Sequence, residues 1–229
     1  MLNSIDEKRD SLLDGELSAC RKRLEVRAGN TFRVVRLDEG ETLEAPSVVC
    51  LGFFDGVHIG HQRLIAAAVA VARTQGLISC AHTFSEMPVK VIRPDCQVLE
   101  LTPLAEKLAL FRSAGLDAAA VSNFDENMRM MHARDFFVNC LLNGLKAKHL
   151  VVGYDHRFGY HGECGAEMLS ALCAEYSVGL TVIEPVRLAS GELVSSTAVR
   201  KAVMEGDFAL AQRMLGRPCP EAMRRRNGE

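Results

Sequence analysis

Two imidazoles, His58 and His61, flank Gly60 at the end of the stretch Gly52-Phe53-Phe54-Asp55-Gly56-Val57-His58-Ile59-Gly60-His61. With 7 histidines and 18 glycines in the chain, chance supplies about 0.02 such HxGH strings, a simple product of frequencies. The stretch follows an apolar run, SVVCL at 47–51, and precedes an alanine-rich amphipathic one at 61–75. A buried strand running into a helix start suits phosphate. Unpaired N–H groups and positive partial charge face the loop, and glycines let the backbone approach closely. Two imidazoles at i and i+3 can donate hydrogen bonds to a phosphate whose charge grows during reaction. A glycine turn with two incidental histidines is the bland alternative, and the placement between strand and helix weighs against it.

A second polar run, Ser195-Ser196-Thr197-Ala198-Val199-Arg200, stands before another helical pattern. Hydroxyls there cap a helix and bind phosphate oxygens, while Arg200, one turn in, is a bidentate donor. Alone such a run is usually only a cap; beside the HxGH loop it reads as the other half of one triphosphate site. His156, His161 and Cys164 lie close in sequence, but their spacing fits no common structural zinc pattern. No GxxxxGK or GxSxG string occurs, which argues against a P-loop enzyme and a serine hydrolase. The Met128, Met130, Met131 group with Phe124 suits flexible packing near a planar ligand, but methionines at such spacing are more often ordinary core, and they are left out of the site.

Elements must hold these loops in place. Strand patterns are predicted at 47–51, 77–84, 118–122, 149–152 and 180–186, and helices at 61–75, 104–113, 133–142, 166–176, 196–205 and 207–215. The alternation predicts an α/β fold: a Rossmann-like parallel sheet with helices on both faces, joined by right-handed crossovers. Ligands then sit at the carboxyl ends of strands, where strand order reverses. The 229 residues are 48% hydrophobic with net charge −2. That composition excludes a disordered chain and argues against nucleic-acid or membrane-surface partners, which favour a basic excess. Residues 1–30 read as a charged extension, 31–218 as the catalytic domain and 219–229 as a basic tail, a solvated end. The amino terminus lacks the apolar core of a signal peptide, and eight scattered cysteines without a CxxC pair read as reduced. A cytoplasmic location is expected.

The order of motifs resembles the FMN adenylyltransferase (FAD synthetase) module of bacterial bifunctional riboflavin kinase/FAD synthetases, within the HxGH nucleotidyltransferase superfamily. The likeness runs from about 32 to 218 through GFFDGVHIGHQRLI, LTPLAEKLALFRSAGLD, HARDFFVNCLL, VVGYDHRFG and SSTAVRKAVMEGDFALAQRMLGRP. It implies transfer of AMP from ATP to FMN, giving FAD and pyrophosphate, with Mg²⁺ accompanying ATP. It implies a catalytic set of His58, His61 and Arg200 and an ATP-binding set of Gly52, Phe53, Asp55, Gly60, Ser196 and Thr197. Asp155 and Arg157 are assigned to flavin, phosphate or Mg²⁺ contact, and no direct protein metal site is expected. Three departures stand out. Glu86-Met87-Pro88 replaces the family's PHP, and His156 replaces a phenylalanine of GxDFxFG. After LGRP only residues 219–229 remain where the kinase barrel usually follows, so no riboflavin kinase activity is expected. A different acceptor (pantetheine phosphate, nicotinamide mononucleotide or a cytidylyl acceptor) and a non-catalytic flavin- or nucleotide-binding relative are the alternatives.

Overall fold

A computed structural model describes residues 31–220. The extension at 1–30 lies outside the described residues, as does the tail beyond Pro220. The chain divides between Phe32 and Arg33, and the second unit holds the sheet, its helices and every candidate site residue.

Six parallel strands form one sheet: β1 (Arg33–Arg36), β2 (Ser47–Leu51), β3 (Ile78–Phe84), β4 (Ala118–Ser122), β5 (Ala147–Gly153) and β6 (Gly179–Ile183), in the order β1-β4-β3-β2-β5-β6. The α/β Rossmann-like reading is correct. All five residues of β2 and of β4 are buried, as expected of strands covered on both faces. Order reverses between β2 and β5, which makes their carboxyl ends the expected ligand crevice.

Helices cover the sheet. In α1 (Ile59–Gln75) the buried positions are Leu64, Ile65, Ala68, Val69 and Ala72, a stripe whose alanines let the helix lie close against β2 and β3. Gly76, at φ 67°, ends it, its N–H bonded to the Ala72 carbonyl. The short α2 (Pro88–Ile92) is followed by α3 (Leu104–Ser113) and α4 (Glu126–Met130). Helix α5 (Ala133–Asp135) continues as a wider π-helical segment, Phe136–Gly144, which buries Phe136, Phe137 and Leu141. Helix α6 (Ala166–Glu175) joins it against the sheet. The pair α7 (Ser196–Met204) and α8 (Phe208–Leu215) packs on Leu101, Val186 and Val194 as a separate small core.

Several boundaries differ from the sequence reading. Helix α1 begins at Ile59 rather than His61 because His58 is its cap. The strand expected at 180–186 ends at Ile183, just before Pro185, which has no N–H for a ladder. Strand β1 and helices α2 and α4 were not expected. Seven described cysteines are free thiols, and burial pushes Cys80 up to about 12. Among the described residues no helix is long and apolar enough to cross a membrane.

Candidate active site

The loop after β2 turns through Phe54 (φ 57°), Gly56 (φ 85°) and Val57 (φ 40°). Phe54 and Val57 carry positive φ without being glycine, a strained conformation that concentrates at functional loops. Contacts from elsewhere hold the turn. Gln62 donates to the carbonyls of Val57 (2.9 Å) and Leu215 (2.8 Å). Arg217 donates to the carbonyls of Gly56 (2.8 Å) and Val57 (3.2 Å). The loop is therefore tied to the end of α8.

His58 caps α1, its Nδ1 accepting from the His61 N–H at 3.3 Å. That leaves the proton of a neutral His58 on Nε2. The two rings stack with centroids 3.6 Å apart at 17°, and Phe54 meets His61 edge-on at 5.2 Å. Burial, reinforced by the Arg200 and Arg217 charges, lowers His58 to about 4. Burial, His58 and Lys107 hold His61 well below its usual range. Both are neutral near pH 7 in the free protein. A Cβ on Gly60 would lie 3.0 Å from His58 Nδ1, so glycine leaves room for the stacked ring. The His61 Nδ1 is buried without a hydrogen bond.

Asp55 and Arg200 are placed differently from expectation. Asp55 is 1% exposed; its carboxylate accepts the N–H groups of Leu101 (3.0 Å) and Thr102 (2.9 Å) and pairs with Arg200 Nη2. Arg200 Nε also donates to the Leu99 carbonyl at 2.8 Å. Asp55 therefore cannot touch ATP in this conformation. The Arg200 fork is already engaged, leaving Nη1 as its uncommitted nitrogen. Together they fasten the segment 99–102 to α7. Ser196 donates to the Asp55 carbonyl at 2.8 Å. Ser195, rather than Ser196, caps α7 by accepting from the Ala198 N–H at 3.1 Å.

A cavity of about 380 Å³ opens at the β2/β5 crevice. Its walls bring together Gly52, Phe53, Gly60, both motif histidines, Asp155, Arg157, Ser196 and Thr197, so the starts of α1 and α7 face one space. Asp155 and Glu184 supply its carboxylates. A second cavity, about 330 Å³, lies beside it. It is walled largely by rings and thioethers, including Phe84, Phe124, Met128, Met131, Phe136 and Phe158. Sequence reasoning set aside Phe124, Met128 and Met131 as packing; the structure lines this cavity with them. Pro88, the last residue of the Glu86-Met87-Pro88 departure, and Ile92 also line it. The two cavities share the wall Leu51-Gly52-Phe53 and His156-Arg157. Behind Phe53 the buried Lys107 ammonium sits 3.8 Å from the ring centroid, and burial lowers it to about 8. The Phe53 carbonyl accepts from the Thr83 hydroxyl at 2.9 Å.

Comparison with known proteins shows the family. The FAD synthetase family profile matches residues 41–198. The chain belongs to the FAD synthetase family. It is 34% identical over 179 residues to the bifunctional riboflavin kinase/FMN adenylyltransferase of Listeria monocytogenes serovar 1/2a, covering 78% of this chain and 56% of that one. The Escherichia coli K12 protein of the same name is 33% identical, over 75% of this chain and 54% of its own. The chain thus spans about half the length of the curated relatives it matches. Among solved structures, a macrolide-efflux protein from Streptococcus pneumoniae superposes with TM-score 0.74 at 27% identity, covering 82% of this chain and 72% of that one. A pantoate-beta-alanine ligase from Francisella tularensis shares the fold at TM-score 0.50 and 14% identity, over 79% of this chain and 77% of that one.

Proposed function

We propose that this FAD synthetase family member is an FMN adenylyltransferase, joining ATP and FMN to give FAD and pyrophosphate. The observation that carries the reading is the pair of adjoining cavities. One is lined by two helix N-termini and suits a triphosphate; the other is lined by rings and methionines and suits a flat flavin. Their shared wall is where the two substrates would meet.

In this reading an FMN phosphate oxygen attacks the α-phosphorus of ATP. A new P–O bond forms, the bond to the β-phosphate breaks, and pyrophosphate leaves. No protein nucleophile is needed, so alignment and charge stabilisation are the catalytic work. His58 and His61 donate as neutral imidazoles to phosphate oxygens, and Thr197 with the α7 N–H groups holds the others. Arg200 acts mainly by fixing α7 against Asp55, with Nη1 left for the pyrophosphate side. Gly52 and Phe53 carry the adenine side, and Arg157 faces the flavin phosphate. Mg²⁺ is commonly held by substrate phosphates, waters and one or two carboxylates. The donor set fits that mode: Asp155 and Glu184 stand on the cavity wall. Bound with ATP, Mg²⁺ would neutralise phosphate charge. Free thiols suit a cytoplasmic setting, and a net charge of −2 suits small-molecule rather than nucleic-acid partners.

The test is incubation with ATP, Mg²⁺ and FMN followed by separation of the flavins, with FAD and pyrophosphate expected. His58→Ala and His61→Ala should each lower kcat roughly 10²–10³-fold while ATP still binds. Absence of FAD from the unaltered protein would overturn the reading.

A further inference from the structure

His156 stands on the wall common to both cavities, where the substrates proposed above would exchange a phosphate. Its backbone N–H bonds to the Gly153 carbonyl at 3.1 Å, which fixes the turn that presents the ring. The ring tilts against Phe158 with centroids 5.9 Å apart. Neither ring nitrogen has a hydrogen-bond partner among the described residues, unlike His82 of β3, whose Nε2 is paired with the Ser122 hydroxyl at 3.0 Å. Phenylalanine at this position, as in the family pattern, could stack but could not donate. Arg157 follows directly and lines both cavities as well, its Nε bonded to the Gly162 carbonyl at 2.8 Å.

We propose that His156 is a specificity-determining residue, donating through its ring N–H to the FMN phosphate and so favouring FMN over flavins that lack it. The idea rests on the FMN adenylyltransferase reading. It gives a role to a polar ring without a protein partner among the described residues on the wall between the two cavities. The ring is half-buried and has no protein acceptor there, and a phosphate oxygen in the cavity would supply one for its N–H. The charged or titratable groups lining the two cavities beside it include His58, His61 and Glu184 on one side and His82 and Arg129 of α4 on the other, with Asp155 and Arg157 its chain neighbours; Arg129 is ion-paired with Glu126.

The experiment measures binding of FMN and of riboflavin by flavin fluorescence, for the full chain and for His156→Phe and His156→Gln. His156→Phe should weaken FMN roughly 10-fold, the order of one hydrogen bond to a charged group, while riboflavin affinity stays level. His156→Gln keeps an N–H donor and should stay within about 3-fold of the original for FMN. Equal losses for both flavins would assign the ring to stacking or folding and overturn the proposal, as would unchanged FMN affinity in His156→Phe. Failure of the unaltered chain to bind either flavin would instead sink the flavin-cavity reading beneath it.

Discussion

Asp55 shows what a buried carboxylate does when its partners are fixed. It receives two backbone N–H groups and the Arg200 guanidinium, so its charge is satisfied without substrate. Asp55→Ala would leave Arg200, 17% exposed, as a cation without its partner, at a cost of about 3–5 kcal/mol. A urea midpoint falling sharply, together with lost turnover, is the expected result. Arg200→Lys keeps the charge but cannot serve both Asp55 and the Leu99 carbonyl. It should lose about 1–2 kcal/mol of stability as well as activity; full stability with lost turnover would return Arg200 to a purely phosphate-binding role. Gly60→Ala separates two effects by sign. Alanine favours the helix by up to about 1 kcal/mol, yet its Cβ must displace the His58 ring by a few tenths of an ångström. Unchanged or raised stability with kcat down roughly tenfold is expected, and normal kcat would show that the ring stack is not needed. The HxGH and SSTxxR strings could be read in sequence because each is short and contiguous. The Asp55–Arg200 pair could not, since its members are 145 residues apart and each sits inside a motif that suggests a different duty.

Element by element, legibility followed burial. Strands β2 and β4 announce themselves because both faces are covered and every residue is apolar or small. Strand β1 hides because Arg33 and Arg36 flank two valines of which Val35 is buried and Val34 exposed. Helices α2 and α4 span five residues each, too short for a 3.6-residue period to show. The second cavity escaped for a related reason: its walls come from separate elements, and no window of sequence contains them. The join between α1 and α8 gives a test at this scale. Gln62→Leu removes both side-chain bonds, leaving Val57 with Arg217 as its side-chain donor and the Leu215 carbonyl without Gln62, costing about 1–3 kcal/mol. ATP affinity should fall with it, because the loop carrying His58 loses one of its two anchors and keeps only Arg217. Asp207→Ala is the control. Its carboxylate caps α8 through the Leu210 N–H at 2.9 Å, so about 1 kcal/mol of stability should go with turnover unchanged. Equal activity losses in both variants would mean that α8 acts on the site only by being folded.

For the molecule as a whole, pH is the informative variable. Burial lowers His58 and His156 to about 4 and His82 to about 3. The usual value in an unfolded chain is about 6.5. Between those limits the unfolded chain binds protons that the folded one refuses, so stability falls as pH drops from about 6.5 towards 4 and is complete above 6.5. Urea midpoints should be lower at pH 5 than at pH 7.5, a range that lies above most carboxylate titration. A midpoint that rose on acidification would mean that these histidines are charged in the native state.

The hydrogen bonds from Arg217 to Gly56 and Val57 close a span of 161 and 160 residues, and that from Gln62 to Leu215 closes 153. During synthesis the HxGH loop therefore leaves the ribosome long before the residues that set its shape. At about 5–20 residues per second, the delay is on the order of ten seconds or more. The nascent chain can lay down β2 and α1 in that interval, but the loop between them stays unclamped until α8 emerges. The final shape of the loop is thereby deferred to the completed chain, and a nascent protein stalled before Arg217 would carry every HxGH residue without the contacts that hold them.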